Sequence, residues 1–206
     1  MSNNHTGIAI ALAWPETMCR QAGAWYDPIM RITGISKNYY YKIGHAAVVL
    51  INNKTGKCNY FDFGRYHAPH GHGRVRDEET DHDLIIFTKA KFNDKGKIEN
   101  YREILTELQN NPSCHGTGKL HASYCNINFE SAYKNAKKMQ DESPHRYGPF
   151  VWNGTNCSRF VRTTILSGKP STFHHLRMKL PLTVSPSPIG NVKSLPDYVV
   201  HAVLKK

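Results

Sequence analysis

This sequence predicts a single domain mixing strands and helices, and three observations lead there. The chain has 206 residues, 39% of them hydrophobic, enough to enclose one core but lean for two. Residues 39–51 are rich in β-branched and aromatic side chains. They are followed by the turn cluster Asn52-Asn53-Lys54-Thr55-Gly56 and a second aromatic run, 58–63, and together these read as a β-hairpin. Residues 98–108 instead carry apolar side chains at Ile98, Tyr101, Ile104, Leu105 and Leu108, the period of an amphipathic helix.

The remaining elements follow in order. Residues 8–14 are an apolar run closed by Pro15, which reads as a short buried strand. Residues 16–24 are expected to form a helical turn or two, and Asp27-Pro28 and Gly34 punctuate the approach to the hairpin. After the hairpin, residues 65–83 are polar and hold four of the twelve histidines. That segment is too long for an idle loop and is expected to cover something. A strand over 84–88, the helix over 98–108, a strand over 120–127 and a helix over 129–139 come next. A last helix over 158–166 is closed by Ser167-Gly168 and Lys169-Pro170, ordinary stop signals. Pro181, Pro186, Pro188 and Pro196 then make residues 180–206 an extended tail on the same 1–206 domain.

Composition excludes several function classes. The formal charge of +11 is spread along the chain and never forms a long basic block, so nucleic acid is not the expected partner. No apolar run approaches the roughly eighteen residues of a membrane span, and residues 7–14 lack a basic flank and a cleavage site. A soluble, unprocessed protein without stable membrane association is expected. Cys19, Cys58, Cys114, Cys125 and Cys157 are odd in number and contain no Cys-x-x-Cys pair, which points to a reducing compartment, the cytoplasm. His67, His70 and His72 with Asp81, His82 and Asp83 could ligate a metal, but their spacing matches no zinc signature. No metal or other cofactor is expected.

The chemistry concentrates at Asn153-Gly154-Thr155-Asn156-Cys157-Ser158-Arg159, where a loop should become a helix. A thiol there meets unpaired N–H groups and the positive end of the helix dipole, both of which favour the thiolate. His45, opening the apolar run Ala46-Ala47-Val48-Val49-Leu50, is the candidate base. Strand alternation places Tyr60 and Asp62 on one face of the partner strand, and Asp62 is the natural group to orient His45. A lone cysteine at a helix start is more often core than nucleophile, and Asp62 could simply cap the turn at Gly64. It is the joint fit of the residues to one scheme that sets them apart.

Gly44-His45-Ala46-Ala47-Val48-Val49-Leu50 preceding Asn156-Cys157-Ser158-Arg159-Phe160-Val161, with Tyr147 upstream of the cysteine and Gly168 closing its helix, resembles the permuted branch of the NlpC-type papain-like superfamily, which includes lecithin retinol acyltransferase-like proteins. The segment from Gly7 to Pro15 and the run Asp62-Phe63-Gly64-Arg65-Tyr66 are also similar to an uncharacterised Bacteroidetes family of this type. The resemblance implies a papain-like α+β fold, an antiparallel sheet carrying His45 and Asp62 packed against helices, one of which bears Cys157. It also implies thiol chemistry on an acyl group. Cys157 would attack a carbonyl, His45 act as base and then acid, and Asp62 hold His45, with Tyr60 as the fallback orienter. Tyr60, Tyr147 and Asn156 would contact substrate, and Arg74 and Arg76 suit a carboxylate or phosphate on it.

The expected activity is hydrolysis of an amide (peptide or amino-acid amide) or ester through a Cys157 acyl-enzyme. An acyltransferase and an inactive ligand-binding module of the same fold are the alternatives. The sequence leaves oligomeric state open.

Overall fold

The run expected to be the first buried strand is the central strand of the molecule: Gly7–Trp14 (β1) has every residue buried. The computed structural model describes residues 5–21, 27–32, 36–180, 182–183 and 185–202. Its other strands are Cys19–Arg20 (β2), Ser36–Lys37 (β3), Tyr40–Tyr41 (β4), His45–Asn52 (β5), Cys58–Gly64 (β6), His72–Arg76 (β7), Leu120–Ile127 (β8), His145–Arg146 (β9) and Val199–His201 (β10). Its α-helices are Asp27–Ile32 (α1), Tyr101–Asn110 (α2), Phe129–Asp141 (α3), Cys157–Ser167 (α4), Thr172–Lys179 (α5) and Pro188–Lys193 (α6). Among the described residues the strands form a seven-stranded antiparallel sheet, β10-β8-β1-β5-β6-β7-β9, and a small sheet, β2-β4-β3.

Because successive side chains of a strand point to opposite faces, β1 supplies two cores at once. Ile8, Ile10, Leu12 and Trp14 face one layer, where they meet Ile104, Leu105 and Leu108 of α2. Ala9, Ala11 and Ala13, joined by Ala46 of β5, face the other, under Phe160, Val161 and Ile165 of α4. Alanines on that face let α4 lie close to the sheet, which brings its N-terminus to the start of β5. The architecture is therefore α+β, with an antiparallel sheet packed against helices.

Several local expectations differ from what forms. Cys19 and Arg20, inside the segment read as a helical turn, instead pair as a strand with Tyr41 and Tyr40; residues 22–26, Gly34 and Pro181 lie outside the described residues. The polar stretch 65–83 contains β7, whose Arg74, Val75 and Arg76 pair with Gly64, Phe63 and Asp62 of β6. Residues 84–88 form no strand: Leu84 and Ile86 are buried, but the N–H groups of Phe87 and Thr88 donate to the Glu107 carboxylate (2.7 and 2.9 Å) rather than to a neighbouring strand. The proline-bearing tail forms α6, tucked against β1 and α4, and ends as the edge strand β10 beside β8.

Candidate active site

The site starts from strand register. In β5 and β6, Ala47 is opposite Asp62, so His45, two residues before Ala47, is the diagonal neighbour of Asp62 on the same face. In the next pair Asp62 is directly opposite Arg76, and on the other side His45 is opposite Trp14. One row across four strands therefore reads Trp14, His45, Asp62, Arg76. Gly44 begins it with a φ of +77°, and a Cβ there would lie 2.9 Å from the Trp14 carbonyl oxygen, so glycine is required at the entry to β5.

Every member of the row is held. His45 donates through Nε2 to Oδ2 of Asp62 at 3.2 Å, and its ring stacks on Trp14 with centroids 5.9 Å apart. Arg76 grips the same carboxylate side-on, Nε to Oδ1 at 3.0 Å and Nη2 to Oδ2 at 2.7 Å. Tyr60 and Tyr66 also donate to Oδ2, at 3.1 and 3.4 Å. The Arg76 guanidinium lies 3.5 Å from the centre of the Tyr66 ring and donates to the Ser113 carbonyl at 3.0 Å. Asp62 is fully buried and Arg76 nearly so. A buried carboxylate persists in its charged form only with this many donors around it.

Cys157 reaches the row from the other face as the first residue of α4. Asn156 caps that helix, its side-chain oxygen accepting from the Arg159 N–H at 2.9 Å, and its amide donates to Ser185 Oγ at 2.7 Å. With Nε2 of His45 committed to Asp62, the other ring nitrogen is left to interact with Cys157, whose sulfur is close enough to raise the pKa of the imidazole. Burial pushes the Cys157 thiol up, but the His45 hydrogen bond and charge, the Ala46 N–H and the Ser158 hydroxyl outweigh it, and its pKa falls below the ordinary value. Burial likewise pushes His45 down, but Asp62 and Cys157 outweigh it and raise the imidazole to about 9. Asp62 also resists burial and stays below the ordinary carboxylate value, through His45 and Arg76.

The other cysteines shift the opposite way. Burial pushes Cys58, Cys114 and Cys125 up to about 12, and burial with the neighbouring Cys157 pushes Cys19 to about 11. Of the five thiols, Cys157 is the one whose surroundings favour the thiolate, and the raised imidazole beside it favours the imidazolium; the other four are driven toward the neutral thiol.

A cleft of about 470 Å³ opens in front of Cys157. Tyr147 and Asn156, two of the residues expected to contact substrate, line it. Tyr147 also stacks on Phe63 at 5.8 Å. Three other expectations need correction. Tyr60 is buried behind Asp62 and faces the core, not the cleft. Arg76 is the buried partner of Asp62, and Arg74 is tied to Asp81 and to the Tyr66 carbonyl, each at 2.8 Å, so neither lines the cleft. Their strand pairing with β6 turns both guanidiniums inward to acceptors. The sequence reading overlooked Arg20, Lys42 and Arg65, which line the opening, together with residues 185–189. The alternation of Arg74, Val75 and Arg76 was the available signal that this segment is a strand. As for the histidine-rich segment, no group of three or more His, Cys, Asp or Glu among the described residues is placed to hold a metal ion.

Comparison with known proteins adds two findings. A family model described as type VI secretion system effector TseH-like matches residues 9–172. A crystal structure of the type VI secretion system effector TseH aligns with a TM-score of 0.58 at 16% identity, covering 97% of this chain and 100% of that one. At that identity the likeness is one of fold, and the fold is papain-like. No curated protein matches the chain.

Proposed function

The chain belongs to the TseH-like family of type VI secretion system effectors, and from that membership and the geometry around Cys157 we propose that it is a thiol hydrolase cleaving an amide or ester bond. The observation that carries this reading is the continuous line Cys157–His45–Asp62, with a thiol driven down in pKa while the other cysteines are driven up. The Cys157 thiolate adds to the carbonyl carbon, and the N–H groups at the start of α4 face the developing oxyanion. His45 then passes its proton to the departing amine or alkoxide, leaving a thioester on Cys157. Water, deprotonated by His45, attacks the thioester, and release of the acid restores the imidazolium–thiolate pair. Asp62 keeps Nε2 of His45 protonated, so Nδ1 faces the sulfur throughout.

The substrate in this reading is a peptide or amino-acid amide, bound without metal or nucleic acid. The family description as a secretion-system effector supports export, so action outside the producing cell takes the place of the cytoplasmic location expected from the cysteines. No helix among the described residues is long and apolar enough to cross a membrane. Acyl transfer is the second reading, favoured by the apolar cleft wall of Tyr41, Ile43, Pro149, Phe150 and Ile189, which would shield a thioester from water.

The test is the pH dependence of alkylation by iodoacetamide, with the modified cysteine identified by peptide mass spectrometry. Cys157 should label rapidly well below pH 8.5, and His45→Ala should slow it. Labelling that is slow and indifferent to His45→Ala would leave an inactive binding module. Added amine that diverts the acyl group faster than water would establish transfer instead.

A further inference from the structure

Arg65 follows directly on the last residue of β6, three positions beyond Asp62. A Cβ on Gly64 would lie 2.3 Å from the Tyr66 ring, so the glycine lets Tyr66 fold back onto Asp62 while Arg65 lines the cleft. The Arg65 guanidinium sits 5.4 Å from the centre of the Tyr147 ring and donates through Nη2 to the Arg20 carbonyl. Those contacts fix its position while leaving most of its five N–H donors for other acceptors. Its charge also reaches the cleft thiol of Cys19, where it opposes the upward push of burial and Cys157.

The sign of the cleft is one-sided. Arg65, Arg20 and Lys42 line it, and among the described residues that do so there is no Asp or Glu. Arg74 and Arg76, by contrast, are each matched to a carboxylate, Asp81 and Asp62. The overall charge of the chain does not produce that difference; the placement of acidic residues does.

We propose that Arg65, flanked by Arg20 and Lys42, binds a carboxylate of the acyl donor beside the scissile bond, so that the substrate is an anionic amide or peptide. This rests on the nucleophile reading of Cys157. A single guanidinium edge matches the two oxygens of a carboxylate, and a partly apolar wall strengthens the attraction by excluding water.

Two alkylating reagents of nearly the same size, iodoacetate and iodoacetamide, test it without a known substrate. The rate ratio of iodoacetate to iodoacetamide at Cys157, divided by the same ratio for N-acetylcysteine, should be about tenfold and should shrink with added salt, as expected for a few partly exposed charges. Arg65→Gln should lower that quotient about fivefold and Arg65→Lys less. Lys95→Gln, which removes the same charge from an exposed turn, should leave it alone. Arg20→Gln and Lys42→Gln provide independent reductions should Arg65→Gln fold poorly. A wild-type quotient near one, or an Arg65→Gln effect no larger than that of Lys95→Gln, overturns the carboxylate subsite while leaving the nucleophile reading intact. If neither reagent labels Cys157, the nucleophile reading falls and the subsite falls with it.

Discussion

The rear and the mouth of the site are built in different ways around Cys157. Behind Cys157, the row His45, Asp62 and Arg76 lies on three adjacent strands, each side chain buried and committed to a fixed partner. In front of it, Cys19 and Arg20 come from a two-residue strand, Arg65 from just past a strand end, and residues 185–189 from the stretch leading into α6 and its first turn. The rear is set by hydrogen-bond register and cannot move by parts. The mouth is partly exposed, and among the described residues its cations have no acidic partners on the cleft wall. In the hydrolase proposed above, the difference would leave bond-breaking chemistry to the sheet and selectivity to the connections, where change costs the fold least.

The largest expected effects fall on the rear. Cys157→Ala should abolish turnover on any substrate found, and His45→Ala should lower it by about 10³-fold or more, since both proton transfers run through that ring. Measuring both with the alkylation rate separates loss of the base from loss of fold. An activity that survives Cys157→Ala would remove the chemistry from this corner altogether.

Next in size is the stability difference between two arginines. Arg76→Gln removes the side-on guanidinium from buried Asp62 and leaves it only His45 as a charged partner, which should cost about 3 kcal/mol in denaturant unfolding. Arg65→Gln should cost about 1 kcal/mol or less. The double variant Arg76→Gln/Asp62→Asn should recover part of the loss, because the carboxylate that has lost its guanidinium is then replaced by a neutral amide. Equal costs for the two arginines would erase the distinction between rear and mouth.

How much of this was legible depended on the range of the interactions. β1, the β5–β6 hairpin, β8, α3 and α4 follow from local pattern, and the hairpin register alone put Asp62 beside His45. Cys157 was legible because residues 153–159 read as a loop turning into a helix, which the structure shows capped by Asn156. Arg76 was misread because its partner lies across a strand pairing of the stretch 65–83, which carries too few apolar residues to announce a strand. Leu84 and Ile86 were misread for the opposite reason: they are apolar and buried, but Glu107 satisfies the adjoining backbone from a helix. The cleft lining was invisible, since Arg20, Lys42, Arg65 and residues 185–189 meet only in three dimensions.

Proton linkage gives a subtler test of the rear. Asp62 is held below its ordinary pKa, so its contribution is complete above about pH 4 and is lost as pH falls through its folded value. His45 is raised from 6.5 to about 9, so its contribution is complete below 6.5 and is lost as pH rises through about 9. Cys157 is lowered from 9.0, so its contribution is present above 9.0 and is lost as pH falls through its folded value. Over the shared window the last two slopes oppose each other, because folding moves one proton from sulfur to imidazole without changing the count. Wild-type stability should therefore stay nearly flat from the folded Cys157 value, or from 6.5 where that is higher, up to about pH 9. Cys157→Ser should instead lose stability with rising pH there. Turnover should fall above about pH 9 as the imidazolium disappears, whereas alkylation should not.

Asn156 belongs to both regions, and its variants should give the smallest effects. Its side-chain oxygen caps α4 through the Arg159 N–H, while its amide donates to Ser185 in the segment bordering the cleft. Asn156→Ala loses both contacts and should cost about 1 kcal/mol, the usual value of a helix cap. Asn156→Ser restores a neutral capping oxygen but has no amide to reach Ser185, so it should recover most of that stability and leave the mouth loosened. If the rear alone sets the chemistry, Asn156→Ser should alkylate at the wild-type rate with iodoacetamide yet show a raised KM with kcat nearly unchanged. A fall in the alkylation rate instead would mean that the Ser185 contact helps hold Cys157 against His45, and the boundary between the two regions would have to be drawn on the far side of residue 185.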